Sequence, residues 1–425
     1  MSGTTSRRPL VAGIAAVTAT LALAACGGST AGGQAAKPAA AASGQSGAPA
    51  GSTCQPIAFK SPGGNADLSS LPDQIKAGYN GYFAPVNTSL YATFKAKPGP
   101  YKIGYSDSFS ANSWRGDVLK RLMDVGVAYK TAGLISDVRT TNSNLDNNLQ
   151  IQQITSMINQ GVSAIIAIPN SPTAFNGVIK QAYDAGIPFI TLASHVTSPY
   201  AINVDGNYHL TGVQVAHGIG ELLGGKGNVL VVDGINGAPA SAALHDGYVE
   251  GFAGCAGVKV AGPVEGQWSE ATAKTVTLQY LATHPTKLDA IVNSGGMTNA
   301  VIQALEQTGR GLLPIGDANP DKGSVVSLRD KLADKYVAST IPPVESIDAA
   351  LYVAIATLQG QQPKLDAVVA GAPLITGSAA LQKWAASDWT ASSSEQAPAP
   401  PDVSFFKPAD MGAYFAAPKP LPAMP

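Results

Sequence analysis

The chain has 425 residues, of which 45% are hydrophobic and 13% charged, with Lys+Arg 27 against Asp+Glu 28 for a net charge of −1. That length suits two domains of ordinary size, and the charge content is about half the roughly 25% of a typical globular protein. No basic block exists to neutralise phosphates, which excludes a nucleic-acid partner, and the recurrent apolar runs exclude a chain disordered throughout.

The N-terminus carries Arg7 and Arg8, then an uncharged apolar stretch from Leu10 to Leu23. The stretch falls short of the ~18 residues that span a bilayer and has the layout of a signal peptide. It ends in Leu23-Ala24-Ala25-Cys26, which resembles the lipobox of bacterial lipoproteins. The resemblance implies a signal peptide over 1–25, palmitate-type lipidation at Cys26, and an exported protein anchored to the outer face of the bacterial cell membrane. An ordinary secretory signal with an incidental Cys is the alternative. After Cys26, residues 27–53 are built from Gly, Ala, Ser, Thr, Gln and Pro with Lys37 as the one charge, and 26–53 reads as a flexible tether about 30 Å in reach. Residues 54–100 form an N-terminal extension without periodicity, expected to wrap on the surface of the folded body. In an exported protein the remaining pair, Cys54 and Cys255, is a candidate disulfide. Its partners' approach is not readable from spacing, and neither lies in a catalytic Cys signature.

From Tyr101 onward strand and helix patterns alternate. Apolar β-rich runs occur at Lys102–Tyr105, Leu134–Val138, Ala164–Ile168 and Pro188–Leu192, then at Tyr200–Val204, Asn228–Asp233, Val258–Ala261, Asp289–Val292 and Leu312–Ile315. Amphipathic stretches between them predict helices over Asn144–Gln160, Tyr208–Leu223, Glu270–Thr283 and about Glu345–Leu358. Fully apolar strands joined by helical crossovers predict an α/β fold of two doubly wound parallel-sheet lobes joined by a hinge. The expected limits are 101–197 with 344–373 for lobe 1, and 198–343 with part of 374–425 for lobe 2. Hinge segments are expected near Thr197–Pro199, Asn319–Asp321 and Pro342–Val344. The Pro-rich tail after Ser387 either packs across both lobes or is partly disordered.

Motifs for chemistry are missing. No G-x-G-x-x-G follows the first strand, so a dinucleotide cofactor has no cradle. Gly220-x-x-x-x-Gly225-Lys226 ends in Gly227 where a P-loop needs Ser or Thr, and it closes a helix, so it reads as a helix C-cap turn. The five His residues show no metal-ligand spacing, and no G-x-S-x-G elbow presents a nucleophile. Neither cofactor, metal nor catalytic residue is expected, and no enzyme activity. Open α/β sheets place ligands at the carboxyl ends of their strands. That rule selects Asn112, Trp114, His195, Trp268, Asn293 and Asp317 as ligand-binding candidates, with the two indoles stacking and the polar groups bonding hydroxyls or an amine.

Several ordered segments resemble the ribose-type periplasmic sugar-binding proteins, the substrate receptors of bacterial ABC importers. They are Gln150-Ile151-Gln152-Gln153-Ile154, Gln160-Gly161-Val162-Ser163-Ala164-Ile165-Ile166, Ala185-Gly186-Ile187-Pro188-Phe189-Ile190-Thr191-Leu192, Leu223-Gly224-Gly225-Lys226-Gly227-Asn228-Val229, Glu250-Gly251-Phe252 and Pro285 with Leu288-Asp289-Ala290-Ile291. The resemblance covers about Tyr101 to Gln361 and implies a type I periplasmic-binding fold. It also implies a lipid-anchored, monomeric receptor that passes a small polar ligand (a sugar, polyol or related compound) to an ABC permease and its ATPase. A ligand-sensing lipoprotein signalling to a membrane kinase or chemoreceptor is the alternative. Asn112, Trp114, Trp268 and Asp317 fall on the family's ligand positions. Ala193-Ser194 stand where the family has Asp-Arg, no Arg occurs among Ser241 to Asp246, Gly295-Gly296 replace Asn-Asp, and the family's hinge Gln falls near Pro343. With the charged clamps gone, a smaller, more apolar or differently functionalised ligand than an ordinary pentose or hexose is expected.

Overall fold

The computed structural model describes residues 53–424 apart from 285, 402 and 404. The signal-peptide and lipidation readings at residues 1–25 and Cys26, nearly all of the tether, and Pro285 lie outside the described residues. In chain order the strands are β1 (Tyr101–Asp107), β2 (Ile135–Asn142), β3 (Ala164–Ile168), β4 (Phe189–Leu192), β5 (Ile202–Gly206), β6 (Lys226–Asp233), β7 (Gly257–Glu265), β8 (Ala290–Asn293), β9 (Ile315–Asp317), β10 (Tyr336–Ala338) and β11 (Ala367–Ala370). The helices are α1 (Asp73–Ala77), α2 (Ser113–Thr131), α3 (Asn147–Asn159), α4 (Asn176–Asp184), α5 (Tyr208–Leu222), α6 (Pro239–Ala253), α7 (Glu270–Thr283), α8 (Thr298–Gln307), α9 (Lys322–Ser327), α10 (Pro343–Leu358) and α11 (Ser378–Trp384).

Strands such as Ala164–Ile168 and Phe189–Leu192 are buried along their whole length, which is why they read as continuous apolar runs. They assemble into two all-parallel sheets, one of six strands in the order β11-β5-β4-β3-β1-β2 and one of five in the order β10-β9-β8-β6-β7. Each helix starts where local chemistry allows. Asn112 caps α2 by accepting from Arg115 N at 3.0 Å, and Asp146 caps α3 through Asn148 N and Leu149 N. Helix α5 ends at Leu222, and the left-handed Gly224 and Gly225 behind it form the expected C-cap turn.

Two expectations about the lobes need correction. β5 belongs to the first lobe, not the second: Ile202 pairs with Ile190 of β4, and Ala367 of β11 pairs with Asn203 on its other side. The β4–β5 connection has no helix, so Thr197–Pro199 reads like a passage between lobes. It is a loop inside lobe 1, stitched by Asn203 Oδ1, which accepts from Thr191 Oγ1 at 2.8 Å and Val196 N at 2.9 Å. The chain crosses after β5, where α5 packs on the second sheet; it returns after β10, where α10 packs on the first sheet; and it leaves again after β11, where Ile375 pairs with Ala338. Of the expected hinge segments, Pro342–Val344 lies on a crossing, whereas Asn319–Asp321 joins β9 to α9 within lobe 2.

The N-terminal extension also departs from a surface wrap. Tyr79, Tyr82 and Tyr91 are buried in the first lobe's core. Tyr79 OH donates to Ala367 O at 2.7 Å and Tyr91 OH to Tyr200 O at 2.8 Å. At its start the extension is fixed to lobe 2 by a Cys54–Cys255 disulfide, S–S 2.01 Å. The tail packs across both lobes: Leu381, Trp384 and Ala397 join the second core, and Phe405, Phe406, Met411, Tyr414 and Phe415 join the first. Among the described residues no helix is long and apolar enough to cross a membrane.

Candidate functional site

Both sheets present their carboxyl ends to one cleft, enclosing about 90 Å³. Lobe 1 lines it with Asn112 to Arg115 at the start of α2, Ala193 after β4 and Tyr208 after β5. Lobe 2 contributes Ala240 and Leu244 of α6, Trp268 after β7, Ser294 to Gly296 after β8, and Ala318 and Asn319 after β9. Ile341 of the second crossing and Gln396 of the tail complete the walls.

Three of the candidates read from the sequence meet here: Asn112, Trp114 and Trp268. Both indoles are oriented by carbonyls, Trp114 Nε1 donating to Ile341 O at 2.8 Å and Trp268 Nε1 to Ser294 O at 3.0 Å. With their N–H groups committed to the protein, the rings offer apolar faces to a ligand. Trp268 and its neighbour Gln267 both have left-handed backbones, φ 50 and φ 59, and Ala193 across the cleft has φ 51. Such strain in non-glycine residues costs about 1–3 kcal/mol each and concentrates at binding sites.

The other three do not face the cleft. His195 is buried against the N-terminal extension, its Nδ1 3.0 Å from Tyr82 OH. The same hydroxyl donates to Asp205 Oδ2 at 3.0 Å, so Tyr82 ties His195 to Asp205. Burial pushes His195 down to about 4 and Asp205 up to about 7. Asn293 and Asp317 are fully buried. Asn293 Nδ2 donates to Thr298 Oγ1 and Gly316 O, both at 3.1 Å, and its Oδ1 accepts from Gly295 N. Asp317 accepts from Thr298 Oγ1 at 2.6 Å and from Asn319 N at 2.9 Å, and burial pushes its carboxyl up to about 6. Both residues hold the loops that line the cleft and are not among its lining residues. The strand-end rule selects loops that line this cleft, but not which of their side chains face it.

Sequence reasoning missed Arg115, Tyr208, Ile341 and Gln396. Among the described residues that line the cleft Arg115 is the one charged group, and it pairs with Asp107, whose other oxygen accepts from Tyr105 OH at 2.7 Å. Tyr208 directly follows β5, a strand end hidden by assigning that strand to the wrong lobe. Its phenol is pushed up by burial and by nearby Asp205. Ser194, which stands where the family has a clamp residue, donates to Pro169 O and is not among the residues that line the cleft. The result is a site of aromatic faces, hydroxyls and amides whose one charge is internally neutralised.

Two parallel-sheet lobes, crossed three times by the chain between sheets and opening one cleft at the carboxyl ends of both, define a type I periplasmic-binding fold. The family model for the periplasmic binding protein domain matches residues 103–362, and the chain belongs to that family. Among curated relatives, a xylitol-binding protein of Mycolicibacterium smegmatis is 27% identical over 230 residues, 53% of this chain and 65% of that one. The chain thus spans just under two thirds of that relative's length. The ribose import binding protein of Bacillus subtilis is 24% identical over 45% of this chain and 63% of its own. Of solved structures, an ABC transporter solute-binding protein from Thermobispora bispora superposes with TM-score 0.62 at 27% identity, covering 68% of this chain and 88% of that one.

Proposed function

We propose that this protein is a solute-binding receptor that captures a small neutral polyol or sugar outside the cell and delivers it to an ABC permease driven by its ATPase. One observation carries the choice of ligand: among the described residues that line the cleft, the single charged side chain, Arg115, is already paired with Asp107. An anionic or cationic solute would leave water for a site with no free counter-charge, at a cost of several kcal/mol. A neutral polyhydroxy compound loses less, and its C–H faces suit the indoles of Trp114 and Trp268. The named ligands of relatives, xylitol and ribose, belong to this class. Micromolar binding needs ~8 kcal/mol, which two stacking contacts and four or five buried hydrogen bonds supply once the lobes close. The lipobox-like Leu23-Ala24-Ala25-Cys26 supports anchoring of the receptor, acting as a monomer, to the outer face of the membrane.

A thermal-shift panel tests this reading, because a ligand bound only by the folded state raises the melting temperature. Xylitol, D-ribose, D-xylose and myo-inositol are set against gluconate, ribose 5-phosphate and glucosamine. At least one neutral compound is expected to raise the melting temperature and none of the charged ones. A shift with charged compounds only, or with none of the panel, overturns it.

A further inference from the structure

The family match ends at residue 362, and the tail beyond it supplies one wall of the cleft. Residues 391–397 ride on lobe 2. Lys322 N donates to Glu395 O and Gly323 N to Ser393 O, both at 2.9 Å, while Asn299 Nδ2 donates to Ala391 O at 3.1 Å. Ala397 is fully buried in the second core, and Trp384 Nε1 donates to Pro398 O at 2.7 Å. From this seat Gln396 reaches the other lobe, its backbone N–H donating to Asp117 Oδ2 of α2 at 3.0 Å.

The Gln396 side chain is oriented by what it donates to. Its Nε2 gives one hydrogen to Pro320 O at 2.8 Å and one to Asn319 O at 3.2 Å. Two carbonyl acceptors fix the amide nitrogen on that side, which leaves Oε1 as the acceptor of a side chain that lines the cleft. Among the described residues no protein donor reaches it. An oxygen held in that way welcomes a hydroxyl hydrogen and disfavours another acceptor, so it selects an alcohol over a carboxylate or phosphate of similar shape.

We propose that the C-terminal strap completes the binding site and that Gln396 is a ligand-contacting, specificity-determining residue whose Oε1 accepts a hydrogen bond from one hydroxyl of the bound solute. The inference rests on the polyol or sugar reading above. Its test is calorimetric titration of xylitol, D-ribose and D-xylose, each with its singly deoxygenated analogues, into wild type, Gln396→Leu and Asp117→Ala. In wild type, one deoxy position is expected to cost at least tenfold in affinity. In Gln396→Leu that particular loss shrinks below threefold, while the losses at other hydroxyls persist. Asp117→Ala loosens the strap without touching the carboxamide, and weakens every compound in parallel. If Gln396→Leu also weakens all compounds in parallel, or changes none, the strap is structural and the proposal is wrong. If no sugar or polyol binds wild type, the functional reading itself fails and takes this inference with it.

Discussion

The indole of Trp268 lies directly on the backbone of Gly234, so closely that a β-carbon at Gly234 would sit 2.5 Å from Trp268 Cζ2. The end of β6 therefore sets the height of the ring that walls the cleft. Gly234→Ala must push the indole off Ser294 O or into the ligand space. It is expected to lower affinity for the bound polyol or sugar at least tenfold, about 1.4 kcal/mol, with the far-ultraviolet circular dichroism unchanged. Unaltered affinity in the substituted protein would show that the ring's placement does not matter.

The Cys54–Cys255 disulfide closes a loop with a sequence separation of 201 and pins the extension to the end of α6, where Gln55 N also donates to Gly254 O at 2.9 Å. The bridge packs over Gly220 of α5, where a β-carbon would lie 3.0 Å from Cys54 Sγ and closer still to Cys255 Sγ. The double substitution Cys54→Ser, Cys255→Ser is expected to cost about 2–5 kcal/mol in urea unfolding. Gly220→Ala should destabilise the oxidised protein more than the reduced one. Equal effects in both redox states would count against the packing role.

Arg115 and Asp107 form a nearly buried ion pair, so removing one partner leaves the other uncompensated. Arg115→Leu is expected to lose about 3 kcal/mol of stability, and adding Asp107→Asn should recover part of it. A double variant no more stable than Arg115→Leu alone would contradict this.

Asp321 caps α9 by accepting from Ser324 N at 2.6 Å, and burial pushes its carboxyl up to about 7. The unfolded carboxyl titrates near ~3.9, so the folded state binds this proton more tightly. Its contribution to stability is fully present below ~3.9 and is lost as the pH rises through about 7. His195, pushed down to about 4, has the opposite sign: its contribution is fully present above ~6.5 and is lost as the pH falls from there through about 4. Asp321→Asn keeps the cap without the charge. Its stability relative to wild type, followed by urea unfolding, should improve steadily from pH 5 to pH 8. A difference independent of pH would show that the carboxyl is not a buried acid.

The lobes were legible because fully buried parallel strands are apolar along their length, as in Ala164–Ile168, and helices such as Asn147–Asn159 turn Ile154 and Met157 to the core. Short strands were not: Tyr336–Ala338 and Ala367–Ala370 are too brief to show a pattern. β5 was misplaced because a parallel pair usually needs a helical crossover, and the connection from β4 has none. At the site, spacing put Asn112, Trp114 and Trp268 on strand ends, whereas side-chain direction decided the rest. Asn293 and Asp317 turn inward to hold loops, and His195 turns to a tyrosine of the extension. Gln396 had no signal, because nothing local shows that a distant Pro-rich tail returns to the cleft.

The central claim is that a neutral polyhydroxy solute binds against Trp268 in the cleft between the lobes. Calorimetric titration of the best-stabilising neutral compound into wild type and Trp268→Ala, side by side, tests it most directly. The account predicts one site per chain in wild type and at least a tenfold weaker constant in Trp268→Ala, with the variant still folded. Equal affinity in the two proteins, or heat only from charged solutes, would contradict it.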